Sequence, residues 1–347
     1  MTQKHHWKTA SIAASAALTL LMAGCHSSNS SSSTAAGGTA SGGAKILQIA
    51  VIPKGTTHEY WKSIHAGAVK AQQELTAQGT PINIIWKGTE SEGDHPGQVT
   101  IIQNFITQGV SGIVLAPQDN QAMTQAVHDA VSHKIPVVII DSALNGTDWS
   151  SFVATDNEKG GELAGTQLAK LLNGHGRVIM LPYAEGSAST EAREAGFLKI
   201  MKQNPGITLL STNQYGGPTT DTAYTTSQNL LARFGSQTDG VFASNETNTR
   251  GMLQALRDKA MLQKVKFVGF DAAPDLVQAL RTGDLQGLVV QNPFKMGYLG
   301  IKTDVAAIKG QSVQKNVDTG VALITPANIN DPANQEFLNP PISKYVP

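Results

Sequence analysis

Two textures alternate along the chain from Lys45 onward. Short β-branched runs occur at Ile46 to Ile52, Ile82 to Trp86, Gly112 to Leu115 and Pro136 to Ile140. Between them, Tyr60 to Gln78, Pro96 to Gln108 and Asn120 to His133 repeat apolar residues at helical spacing. The series resumes after Thr155. Strands are predicted at Arg177 to Leu181, Gly206 to Leu210, Gly240 to Ala243, Val265 to Phe270 and Leu285 to Val290. Helices are predicted at Asp156 to Leu172, Ser189 to Gln203, Thr220 to Phe234, Glu246 to Arg257, Pro274 to Thr282 and Pro293 to Lys309. Near-continuous apolar strands separated by helices make a parallel sheet covered on both faces. Two such series predict an α/β fold of two doubly wound parallel-sheet lobes.

The start of the chain has a different pattern. Lys4 and Lys8 precede an uncharged apolar run from Thr9 to Ala23, followed by Gly24 and Cys25. This is the charged n-region and short h-region of a secretory signal peptide. The run falls short of the roughly 20 apolar residues of a spanning helix. The ending Leu21-Met22-Ala23-Gly24-Cys25 resembles the lipobox of bacterial lipoproteins. That resemblance implies that Cys25 becomes the lipidated mature N-terminus. Residues 26–44 are a Ser/Gly-rich tract with almost nothing to bury, which fits a flexible tether. Each buried acyl methylene contributes about 0.8 kcal/mol, so several chains on one cysteine hold firmly. We therefore expect a signal peptide over 1–24, a lipidated tether over 25–44 and a soluble domain from Lys45, attached to a membrane in the cell envelope without crossing it.

Composition removes several function classes. Lys plus Arg number 26 and Asp plus Glu 26, so net charge is +0, and no basic stripe offers a nucleic-acid footprint. Cys25 is the only cysteine, and no zinc spacing is present. The chain lacks a G-x-G-x-x-G loop, a P-loop, a G-x-S-x-G elbow and an H-E-x-x-H helix, and we expect neither enzyme nor cofactor.

In open α/β sheets, ligands sit beyond the carboxyl ends of the strands. The loops there hold Lys54, His58, Tyr60 and Trp61, then Asp141 and Ser142, then Tyr215, Asn245, Asp271 and Gln291. Glu185 and Glu246 lie nearby and are expected to face solvent. Asp156 and Asn157 are expected to cap a helix and shape the hinge.

At this point the chain resembles the ribose-type, type I periplasmic binding proteins of sugar ABC importers. The resemblance spans residues 45–325. It rests on Ile49 to Ala68, Pro136 to Asp141, Ala154 to Gly161, Gly186 to Phe197, Val241 to Asn245, Val268 to Asp271 and Val289 to Gln291, in that order. It implies that Tyr60 and Trp61 stack on a sugar, with Tyr215 as a third aromatic. It also implies polar contacts from Asp141, Arg193, Asn245, Asp271 and Gln291. Lys54 stands where ribose binders have a small polar residue, His58 where they have Asn, and Ser142 where they have Arg. These departures point away from ribose itself. The residue types suit a sugar: aromatic rings meet its C–H faces, while carboxylates, amides and guanidinium pair with hydroxyls.

The resemblance also implies chain crossings near Thr155, Gln291 and Ile324. One lobe is then 45–155 with 292–323, and the other 156–291 with 324–347. Closure of the lobes around ligand is expected. The implied partners are a monosaccharide or small polyol, a transporter permease and a membrane reached by the lipid anchor, with the chain acting as a monomer. A sensor feeding a signalling or chemotaxis receptor would use the same ligand chemistry, and the sequence leaves that reading open.

Overall fold

The computed structural model describes residues 45–346; the expected signal peptide, Cys25 and the tether lie outside them. The first lobe carries strands β1 (Leu47–Ile52), β2 (Ile82–Trp86), β3 (Gly112–Leu115), β4 (Val137–Ile140) and β5 (Ser151–Ala154). Helices α1 (Glu59–Ala77), α2 (His95–Gln108) and α3 (Thr124–Ser132) connect them. The chain then enters α4 (Asn157–Leu171), followed by β6 (Gly176–Leu181), α5 (Ala188–Lys202), β7 (Ile207–Ser211) and α6 (Thr220–Phe234). Next come β8 (Gly240–Ala243), α7 (Glu246–Asp258), β9 (Lys266–Phe270), α8 (Pro274–Thr282) and β10 (Gly287–Gln291). The last elements are α9 (Pro293–Ile308), β11 (Asn316–Asp318), β12 (Val321–Ile324) and the short α10 (Gln335–Leu338).

Two sheets result, in the orders β11-β5-β4-β3-β1-β2 and β12-β10-β9-β8-β6-β7. The orders correspond position by position, so the lobes repeat one topology. They differ at one edge: β11 pairs parallel with β5, whereas β12 pairs antiparallel with β10. Strand residues alternate between two buried faces. In β1, Ile49 and Val51 join the cluster containing Trp61 and Ile64, while Ala50 and Ile52 join the one containing Ile102 and Phe105. In β8, Val241 and Ala243 face Leu253, and Phe242 faces Phe197. This two-sided burial is what the near-continuous apolar runs encode.

The chain passes between lobes after β5, where α4 packs on the second sheet, and after β10, where α9 packs on α1 and the first sheet. The third passage falls between Asp318 and Val321, because β12 already pairs with β10. That places it a few residues before the boundary expected near Ile324. A fourth passage was not expected. Leu338 belongs to the second lobe's core, whereas the turn Ile342–Lys344 packs on α1 and the Tyr345 ring lies 5.7 Å from Phe294. The tail expected to stay with the second lobe thus ends on the first.

Candidate functional site

The site is assembled from strand ends. β4 and β9 each finish in a left-handed aspartate, Asp141 at φ 65° and Asp271 at φ 71°. Each backbone N–H donates to the neighbouring strand, Asp141 to Val153 and Asp271 to Val289. Aspartate tolerates this conformation better than most residues. The turn aims both carboxyl groups into the space between the lobes. Buried Gln98 of α2 fixes the adjacent loops by donating to the carbonyls of Pro53 (3.1 Å) and Ala116 (2.8 Å).

All of the expected cleft residues except Tyr215 line one cavity, whose volume is about 40 Å³. From the first lobe come Lys54, His58, Tyr60, Trp61 and Asp141; from the second come Arg193, Asn245, Asp271 and Gln291. Lys54 Nζ lies 3.4 Å from an Asp141 oxygen and donates to Ser187 and Ser189 of the opposite lobe, at 3.2 Å each. Tyr60 donates its hydroxyl to Asp141 (2.7 Å), with the Gln291 amide oxygen 3.2 Å away. Gln291 in turn donates to Asp271 (2.8 Å), whose other oxygen accepts from the Glu246 N–H. Arg193 donates to Asn157 (2.8 Å) and to the Ser244 carbonyl (3.0 Å), with its guanidinium 4.0 Å over the Phe270 ring. Asn245 caps α7 by accepting from the Asn248 N–H.

Burial drives the Tyr60 phenol well above its usual range, reinforced by the charges of Asp141 and Asp271, so it stays a hydrogen-bond donor. Burial also raises the Asp271 carboxyl, against the attraction of Arg193. Acidic and basic groups are matched here: Lys54 with Asp141, His58 with Glu92, and Arg250 with Glu246. Buried charges without partners are expensive, so a balanced cleft suits an uncharged guest.

Tyr215 is a correction to the expected map. It is 47% exposed and lines a separate surface depression with Leu210 and Phe234. The Gly216 and Gly217 N–H groups bind the carbonyls of Pro182 and Tyr183, which pins the loop and leaves the Tyr215 ring outside. The second lobe's cleft aromatic is instead Tyr183, which follows β6 directly and is buried. Its hydroxyl donates to Glu92 of the opposite lobe (2.7 Å). Glu92 is a hub that the sequence reading did not single out. It also accepts from the Trp61 indole (2.7 Å) and lies 2.9 Å from His58 Nδ1. Burial pushes its carboxyl up, but His58, Lys54 and Tyr183 outweigh that and hold it down at about 2. Trp61, only 2% exposed, is therefore a clamped wall of the cleft.

Glu246 also departs from expectation, being 4% exposed rather than solvated. Burial lifts its carboxyl to about 7, helped by the charge of Asp271 and against the attraction of Arg250. Glu185 is exposed as expected, Asp156 caps α4, and Asn157 holds Arg193. Tyr183 and Glu92 both lie in loops that follow strands, so the strand-end rule could have found them. Among the described residues, no His/Cys/Asp/Glu cluster could hold a metal ion, and no helix is long and apolar enough to cross a membrane.

Residues 49–312 match the family described as the periplasmic binding protein domain. The chain belongs to the periplasmic binding protein family. Within that family it is 27% identical over 285 residues to the ribose import binding protein of Bacillus subtilis, covering 82% of this chain and 89% of that one. A carbohydrate transporter solute binding protein from Agrobacterium radiobacter, solved in complex with D-arabinose, is 34% identical. It superposes with a TM-score of 0.79 over 85% of this chain and 99% of its own. An ABC transporter solute binding protein from Agrobacterium vitis with bound D-fucose is 30% identical, with a TM-score of 0.78 over 84% and 99%. The two-lobed type I architecture expected from the sequence is thus the fold of a periplasmic binding protein.

Proposed function

We propose that this periplasmic binding protein captures a neutral monosaccharide or small polyol between its lobes and delivers it to an ABC permease, without catalysing a reaction. One observation carries the reading: hydrogen-bonding groups from both lobes converge on one charge-balanced cavity beside the Tyr60 and Trp61 rings. Ligand contacts from both lobes favour the closed arrangement, so ligand shifts an opening equilibrium. The relatives' sugars, D-arabinose and D-fucose among them, suggest where to look. Ser142 stands where ribose binders have Arg, and Lys54 lines the cavity, which supports a ligand other than ribose.

The test is thermal unfolding against a panel of neutral monosaccharides and polyols. A true ligand raises the midpoint with the logarithm of its concentration. Asp271→Ala should then weaken binding at least tenfold, as loss of a charged hydrogen bond contributes about 1.5 to 3 kcal/mol. Glu185→Ala should change it less than twofold. No midpoint shift with any panel member, or equal effects of the two substitutions, would end this reading.

We further infer that Cys25 carries the lipid anchor, that 1–24 is cleaved and that 25–44 is a tether, so that the protein works in the cell envelope at a membrane surface. The residue pattern before Cys25 supports this. Cells fed a labelled fatty acid should label the processed protein that begins at Cys25, and Cys25→Ser should abolish the label.

A further inference from the structure

A second cavity, of about 260 Å³, lies on the hinge side of the sugar cleft. Tyr60, Glu246, Asp271 and Gln291 line both spaces, so the two share a wall. The larger one is bounded by α1 of the first lobe, by the start of α8 in the second, and by the C-terminal segment, which passes from one lobe to the other. Phe337, Pro340 and Ile342 of that segment line it together with Ala273, Pro274 and Pro293.

This lining differs in chemistry from the sugar cleft. Most of it is apolar, which does not match a ring of hydroxyls. Among the described residues it holds Glu59, Glu246 and Asp271 but no lysine, arginine or histidine, so an anionic guest would be repelled. It also holds Ser63, which is 2% exposed and whose hydroxyl has no hydrogen-bond partner among the described residues. Buried hydroxyls are normally partnered, and an unpartnered one that lines a cavity points to an acceptor or donor on a guest. Because both lobes and the tail form the walls, the cavity takes this shape only when the lobes are together. Any group bound there adds to the preference for the closed form.

We propose that this cavity is a second subsite and that the ligand class is a neutral glycoside with an apolar aglycone. The sugar ring sits in the cleft, and the aglycone lies under the C-terminal segment with an oxygen on Ser63. This rests on the sugar-binding reading above and narrows its ligand. The two spaces meet at Tyr60, Glu246, Asp271 and Gln291, so a single two-part guest must part the Tyr60–Gln291–Asp271 contacts as it binds.

The test is calorimetric titration of the full-length chain with D-ribose, D-arabinose, D-allose and D-fucose, each free and as its methyl and phenyl glycosides. For a sugar that binds, the phenyl glycoside is expected to bind about tenfold more tightly than the methyl one, from the extra apolar area buried. Phe337→Ala and, independently, Ile342→Ala should bring that ratio towards one without changing the methyl glycoside's affinity. Two variants are used because either could unfold. Two outcomes overturn the subsite and leave the sugar reading standing: a free sugar that binds while no phenyl glycoside gains, or a gain that both folded variants retain. Failure of every sugar and glycoside to bind overturns both.

Discussion

Asp304 of α9 is fully buried, and neither carboxylate oxygen has a hydrogen-bond partner among the described residues. It lies against the backbone of Gly112, where a side chain at that position would collide with it. Burial drives its carboxyl well above the usual range, so the folded protein keeps the proton. The unfolded chain releases it above about pH 3.9, so folding must retain a proton that water would take. Asp304→Asn keeps the shape and removes that cost. It should stabilise the protein by at least about 1 kcal/mol at pH 7, with the gain vanishing below about pH 4, as read from urea midpoints. Side chains of this kind show the limit of what the sequence discloses. Asp141, Arg193 and Asp271 were legible because they stand at strand ends or in a family pattern. Tyr215 and Tyr183 both lie beyond strands of the second lobe, and only the backbone bonds of Gly216 and Gly217 decide which ring turns inward.

Among the elements, α4 and α5 of the second lobe approach backbone to backbone, and this pairing sets Arg193. Gly161 of α4 abuts the Arg193 carbonyl, and Gly196 of α5 abuts the Glu158 carbonyl. A methyl group at either place would push the helices apart. Gly161→Ala should therefore cost about 1 to 3 kcal/mol of stability. It should also weaken sugar binding, because the Arg193 backbone must shift; titration of the folded variant checks this. An unchanged affinity would show that α5 tolerates displacement. The main strands and helices were readable because their apolar periods are strong. β5, β11 and β12 were not. β11 is three residues long and its sequence Asn316-Val317-Asp318 has no apolar run, while β5 and β12 have four residues each. Pairing partners make these segments into strands, and partners lie far along the chain.

For the molecule as a whole, several buried groups lean the same way with pH. Burial pulls the His58 imidazole down, but the bond and charge of Glu92 outweigh it and raise the net value above 6.5. Its stabilisation is complete below that pH and fades as pH rises through the folded value. Glu194 and Glu246, lifted by burial to about 7, lose stability earlier, from about pH 4.5 up to about 7, since their folded forms retain protons that the unfolded chain gives up. Glu92 acts oppositely: its stabilisation is present above about pH 4.5 and is lost as pH falls through about 2. Stability should therefore peak near pH 4 to 5 and decline towards pH 8, measurable as urea midpoints across that range; a maximum at pH 7 or above would contradict this. The lobes here are drawn together, with Asn120 donating to the Gly186 carbonyl and Lys54 and Tyr183 reaching across. X-ray scattering should record a smaller radius of gyration at saturating sugar than without it. The clamp on Trp61 extends this beyond scattering. Its indole is tied to Glu92, which Tyr183 of the other lobe also grips, whereas Trp86 stacks on His65 and Trp149 lies under Lys315, both within the first lobe. When the lobes part, water should reach the Trp61 ring, while the other two tryptophans among the described residues should keep their surroundings. The protein thus contains an intrinsic fluorophore that senses closure, and emission spectra can follow capture in real time without a dye.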